Sequence, residues 1–214
     1  MSAALHDEHE RYEAWADFIV SWSNEGYDLF PDVQPLLQTL RNHYEASNGR
    51  IIVGVVTNSD PRVPDVLSSL GLRVSPLRYG TVAAKEQFTP SEHIDFTVMS
   101  YDVGHEKPHR RIFEAAEEML KTTLEADKRA SQSADAAEWQ KIYVGDEYDK
   151  DVVGAVGAGW NAVLIDRDAA TEKDDVQWLD DHQSQDFQSM FDSSRAVAFS
   201  SLAKLAAWLP KPKL

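Results

Sequence analysis

The chain has 214 residues, 36 acids against 21 bases, a formal net charge of −15 and no cysteine. That length suits one α/β domain with a sizeable core. The acidity disfavours nucleic acid or an anionic membrane as a broad partner, and the missing thiols exclude disulfides, thiolate catalysis and cysteine zinc sites. No apolar run approaches the ~20 residues of a membrane span, and residues 1–10 lack a signal-peptide pattern. The expectation is a soluble intracellular protein, cytoplasmic or nuclear.

In chain order, Tyr12, Trp15, Phe18, Ile19 and Trp22 recur at helical spacing, and Gly26 ends that helix. A second helix carries Val33, Leu36, Leu37 and Leu40 on one face and stops near Asn48-Gly49. Ile51 to Val56 is a β-branched run too short for a helix, hence a buried strand of the parallel kind. It enters the polar turn Thr57-Asn-Ser-Asp-Pro61, after which Val63, Val66, Leu67 and Leu70 make a short helix closed by Gly71. Residues 73–92 read as a surface excursion. Phe96 to Met99 is a strand, and a helix with Ile112, Phe113, Ala116 and Leu120 follows Lys107-Pro108. Lys121 to Glu138 shows no apolar stripe and reads as an insertion.

The stretch Ile142 to Trp160 organises the rest. An apolar run breaks at Gly145, acids follow at Asp146 and Asp151, and a small-residue helix leads to the next run, Ala162 to Ile165. This is the pattern of a β-α-β unit, in which ligands sit at the carboxyl ends of the strands. Two acids in that corner suit a hard cation such as Mg2+, and equally suit the capping of a helix start. The region 166–194 is acidic and reads mostly as loop. Ala196 to Phe199 is a last short strand, and a serine-capped helix with Leu202, Leu205 and Leu209 closes the chain at Pro210.

Three polar corners therefore follow three apolar runs: Thr57-Asn58, Lys107-Pro108, and Asp146 with Asp151. A hydroxyl, an amide, an ammonium and two carboxylates together can hold a phosphate and its metal. Each corner alone is ordinary turn or loop chemistry. Two other patterns carry less. His105-Glu-Lys-Pro-His109 fits the zinc-protease spacing, but Pro108 breaks the continuous helix that motif needs. Gly154-x-x-Gly157-x-Gly159 ends a helix instead of opening one, which points to close packing and a C-terminal cap.

In order and spacing the chain resembles the haloacid dehalogenase-like hydrolase superfamily over nearly its whole length. Val55-Val-Thr57-Asn58 resembles the family's second motif, Lys107-Pro108-His-Arg-Arg-Ile-Phe113 its third, and Gly145-Asp146 with Asp151 its fourth. The branch it is most similar to has a helical cap and includes the haloacid dehalogenase-like hydrolase domain-containing proteins. The Gly-Asp form of the fourth motif is that of the Mg2+-dependent phosphatases.

The resemblance implies a Rossmann-like, mostly parallel α/β core over 27–214, with polar insertions near 73–92, 122–139 and 166–194. Residues 1–26 would be the tail of the cap. It assigns Lys107 as catalytic, Thr57 and Asn58 as phosphate-binding, Asp146 and Asp151 to Mg2+, and a small phosphorylated molecule as substrate. The family's Asp-x-Asp nucleophile motif, which closes the first strand, has no counterpart before Thr57. The chain is thus expected to lack that central strand, to associate with itself through the open edges, and to be inactive alone. The competing expectation is a noncatalytic binding or interaction protein.

Overall fold

In the computed structural model, residues 26–46, 51–81, 93–126, 139–171, 173–181 and 187–209 are described, and the expected cap helix lies outside them. Six short strands form two sheets in which every pairing is parallel. Strand β1 (Gly54–Thr57) pairs with β2 (Phe96–Met99), and β3 (Ile142–Gly145), β4 (Asn161–Ile165), β6 (Ala196–Phe199) and β5 (Gln177–Trp178) run in the spatial order β3-β4-β6-β5. Parallel neighbours require crossovers, and helices supply them. This is a Rossmann-like α/β architecture.

The period-two alternation of β4 and β6 divides the core into two faces. Ala162, Leu164, Ala196 and Ala198 face one cluster with Phe113, Tyr143 and Trp160. Val163, Ile165, Val197 and Phe199 face another with Leu179, Met190, Leu205 and Trp208. The first face is covered by the helix Arg110–Ala126, which buries Ile112, Phe113, Ala115, Ala116, Met119, Leu120, Thr123 and Leu124 on one stripe. Phe113 sits edge-on to Tyr143 and Trp160, with ring centroids 5.6 and 5.7 Å away. Glu117 on the same helix accepts from Lys141 Nζ at 2.7 Å and Trp160 Nε1 at 2.9 Å, which fixes the helix against the start of β3.

Several expectations change. The helix continues through Ala126 instead of yielding to an insertion at Lys121, because Thr123 and Leu124 extend its buried stripe and Leu124 packs near Ile52 and Trp139. The segment 73–81 is not a detached excursion. Val74 and Arg78 bridge to Ile94 and Thr97, Leu77 is fully buried, and Arg78 forks onto Asp102 at 2.6 and 2.8 Å. Within 166–194 lie β5 and a 3-10 turn over Phe187–Phe191, held by Val176, Leu179 and Met190 in the core.

The largest change concerns β1. Its residues are half-buried or exposed, whereas β2 is buried throughout. In a strand the N–H and C=O of one residue point to the same edge, and edges alternate. The Val53 carbonyl accepts from the Asp95 N–H at 2.7 Å and its N–H donates to the Asp95 carboxylate at 2.8 Å, so odd-numbered positions face β2 and Gly54 and Val56 face away. In β3, Lys141 bonds toward Asn161 at 2.9 Å, so Ile142 and Val144 face away from β4. Among the described residues neither edge has a strand partner. A seam runs between the two sheets, bridged where Tyr143 Oη donates to the Val56 carbonyl at 2.8 Å.

Candidate functional site

The carboxyl ends of β1 and β3 meet at Lys107. The loop that carries it leaves the short helix Ser100–Val103 through Gly104, whose φ of 73° needs a residue without a side chain. It enters the helix Arg110–Ala126 after a cis Lys107–Pro108 bond. Asn58 clamps this loop with both ends of its amide. Its Oδ1 accepts from the Lys107 N–H at 2.7 Å, and its Nδ2 donates to the Lys107 carbonyl at 3.1 Å. Asn58, expected beside phosphate, thus spends its side chain on holding the lysine backbone.

The Lys107 ammonium is nearly buried, with its side chain 10% exposed. One proton goes to Asp151 Oδ1 at 2.7 Å and one to Tyr143 Oη at 2.6 Å. An ammonium has three protons and accepts nothing, so one donor is left for a ligand. Burial and the carboxylates of Asp151, Asp146 and Glu147 push the Tyr143 phenol far above its usual range, which keeps it neutral.

Asp151 is consumed as fully as Asn58. It sits in a π-helical turn, Tyr148–Val152, that runs directly into the helix Val153–Gly157. Its Oδ2 accepts from the backbone N–H of Asp146 at 3.0 Å and of Glu147 at 2.9 Å, while Oδ1 faces Lys107. This return of the carboxylate onto the strand end requires Gly145, because a Cβ there would stand 2.2 Å from Asp151 Oδ2. Asp151, expected as a metal ligand, is placed as the counter-ion of Lys107 and the brace of the β3 turn. Asp146 differs from it. It is exposed at the strand end, and its carboxylate accepts no hydrogen bond from the described residues. The Thr57 hydroxyl is also without a partner among them.

An exposed carboxylate beside a buried ammonium fits Mg2+, which binds through one or two carboxylates, waters and phosphate oxygens. Asp146 could supply one such ligand, whereas Asp151 already accepts from Lys107 and from two backbone N–H groups. Among the described residues no group of three or more acids, histidines or cysteines is placed to hold a metal ion. The zinc-protease spacing forms no helix. His105 and His109 lie in the loop, stacked with centroids 4.1 Å apart, and Arg111 reaches His105 at 3.2 Å. Tyr143 is the site residue that sequence reasoning missed. Its one signal is a hydroxyl-bearing aromatic inside an otherwise aliphatic run.

The model of the haloacid dehalogenase-like hydrolases matches residues 3–159, which span all three corners. The chain belongs to that family. Similar proteins include an uncharacterized hydrolase of Schizosaccharomyces pombe, 31% identical over 72% of this chain and 53% of its own length. An uncharacterized protein of Saccharomyces cerevisiae is 29% identical over 67% of this chain and 41% of its own length. The chain therefore spans about half or less of these relatives. Among solved structures, a hydrolase of the same family from Bacillus subtilis, crystallised with magnesium bound, superposes with a TM-score of 0.50 at 15% identity. That match covers 85% of this chain and 56% of the other, and it shows a shared fold. No helix among the described residues is long and apolar enough to cross a membrane.

Proposed function

We propose that this chain carries the phosphate corner of a phosphatase-type hydrolase, and that its hydrolytic step needs a carboxylate nucleophile from outside the described residues. One observation carries the reading. A lysine ammonium is held rigidly at the junction of two strand ends with one donor left over, and the Thr57 hydroxyl at the end of β1 has no partner among the described residues. Such a point charge neutralises a phosphoryl oxygen, and the hydroxyl donates to a second. Asp146 would hold Mg2+ on the exposed side, and a bound Mg2+ would supply positive charge to neutralise the phosphate. The substrate class is a small phosphate ester.

Between Asn58 and Asp146 the described residues offer no carboxylate at a strand end to attack phosphorus. The seam between β1 and β3 supplies the place for one. A strand there would meet the outward groups of Gly54, Ile142 and Val144 and share the two lone pairs of the Val56 carbonyl with Tyr143, and its end would lie beside Lys107. Covalent catalysis by an aspartate on that strand would form an aspartyl-phosphate, with the alcohol as leaving group, and water would then release phosphate.

Joining the amino-terminal segment of a full-length relative to this chain tests the reading. A folded chimaera is expected to hydrolyse phosphate esters in the presence of Mg2+, and Lys107→Ala in it to lower turnover by about 100-fold or more. A folded chimaera that is inactive on a broad phosphate-ester panel, or indifferent to Lys107→Ala, overturns it and favours a noncatalytic binding role.

A further inference from the structure

We propose that Tyr143 is a positioning residue of the anion corner: its hydroxyl, oriented by the Val56 carbonyl, aims the last free proton of the Lys107 ammonium. This deepens the phosphate reading of that corner and rests on it.

The geometry fixes the direction of each bond. Val56 O can only accept, so the phenolic proton lies on the 2.8 Å contact to it. The remaining Tyr143 lone pairs can then only accept, and Lys107 Nζ at 2.6 Å is the donor. Asp151 Oδ1 takes the second proton at 2.7 Å. Two acceptors on fixed elements determine where the third N–H points, because the ammonium is tetrahedral. With Asp151 as sole acceptor, two N–H groups would remain and neither would be singled out. The phenol is itself immobile. Its ring is packed edge-on against Phe113, and its residue is 9% exposed.

A tyrosine here does what a leucine or phenylalanine of equal bulk would not. It offers a neutral acceptor, so the lysine gains direction without a second negative charge that would cancel the attraction for phosphate. Asp151 already balances one unit. A second carboxylate at this position would repel an incoming anion. The residue thus joins the strand end of β1 to the lysine loop through one oxygen atom.

The test uses the full chain, its Tyr143→Phe and its Lys107→Ala variants, with inorganic phosphate as probe. Binding is followed by calorimetry, and the ammonium by its own 15N–1H signal in lysine-labelled protein, assigned by its loss in Lys107→Ala. A held ammonium gives a sharp signal, and a rotating, solvent-exchanging one does not. Urea unfolding monitors stability separately. The expected result in Tyr143→Phe is a broadened or lost Lys107 ammonium signal and phosphate affinity lowered roughly tenfold, the scale of one hydrogen bond to a charged group. An unchanged ammonium signal in folded Tyr143→Phe overturns the inference, as does unchanged affinity where the parent chain binds phosphate through Lys107. If the parent chain binds no phosphate, or Lys107→Ala binds it equally well, the phosphate reading itself has failed and the anion-aiming role falls with it. The ammonium signal then reports only whether the Tyr143–Lys107 bond exists. A Tyr143→Phe protein too unstable to fold is replaced by 3-fluorotyrosine at the same position. It keeps the shape and weakens the acceptor, so a Lys107 signal and affinity identical to the parent's would equally overturn the proposal.

Discussion

Asp146 and Asp151 carry the same side chain five positions apart, yet the fold gives them different work. Asp151 is 2% exposed and answers a nearly buried ammonium, so removing its charge leaves Lys107 uncompensated. Breaking a buried pair in this way costs about 3–5 kcal/mol. Asp151→Asn is therefore expected to lower the free energy of unfolding in urea by that order. Asp146→Asn, at an exposed site without partners, should stay within about 0.5 kcal/mol of the parent. Calorimetric titration with Mg2+ should show the opposite ranking. Asp146→Asn is expected to abolish the heat of binding, and folded Asp151→Asn to retain it. Unchanged Mg2+ binding in Asp146→Asn would remove that residue from the site. The pair shows why a sequence motif of two acids does not by itself name two ligands.

At the scale of elements, the segment before the helix Val33–Ala46 is tied to the far end of the chain by one ion pair. Arg167 forks onto Asp32 at 2.9 and 3.0 Å, and Asp32 also accepts from the Leu202 N–H at 3.0 Å, at the start of the helix Leu202–Ala206. The guanidinium lies 3.9 Å over the Phe30 ring. Its hydrogen bond to Asp32, working against the smaller effect of burial, holds that carboxyl below its usual 3.8. A depressed carboxyl contributes stability above its unfolded value and loses it as pH falls through its folded one. The stability gap between the parent and Arg167→Gln should therefore be full at about pH 6 and should shrink below about pH 4. Urea midpoints across that range measure it. A gap that stays constant with pH would assign the contact to stacking on Phe30 alone.

For the whole molecule, the edges of β1 and β3 that have no strand partner among the described residues matter most. Unpaired N–H and C=O groups along a strand are templates for other strands, and Val144 is 41% exposed beside them. At micromolar concentration the isolated chain is expected to self-associate through this seam, and sedimentation should show species larger than a monomer. Occupying the seam with a strand should return it to the monomer, so the folded chimaera is the natural control. A monomeric parent chain that unfolds in one cooperative step would mean that the Tyr143–Val56 bridge closes the seam well enough alone.

Much of this protein is legible in its sequence. Apolar runs of four or five residues, each followed by a polar corner, announce parallel strands with a site at their ends. The helix after Pro108 is readable from its apolar spacing, and the end of the helix Val153–Gly157 from Gly159, where φ is 90°. These features are local, because periodicity and turn chemistry act over a few residues. The allocation of the corner's polar groups is not local. Asn58 reaches Lys107 across 49 positions, Lys107 reaches Asp151 across 44, and Tyr143 reaches Val56 across 87. Spacing along the chain carries no information about such pairs. The residue types at the three corners set what kinds of bond were available. Only the packing of two sheets around one lysine decided which acid became its counter-ion, which remained exposed, and which strand edges have no partner among the described residues.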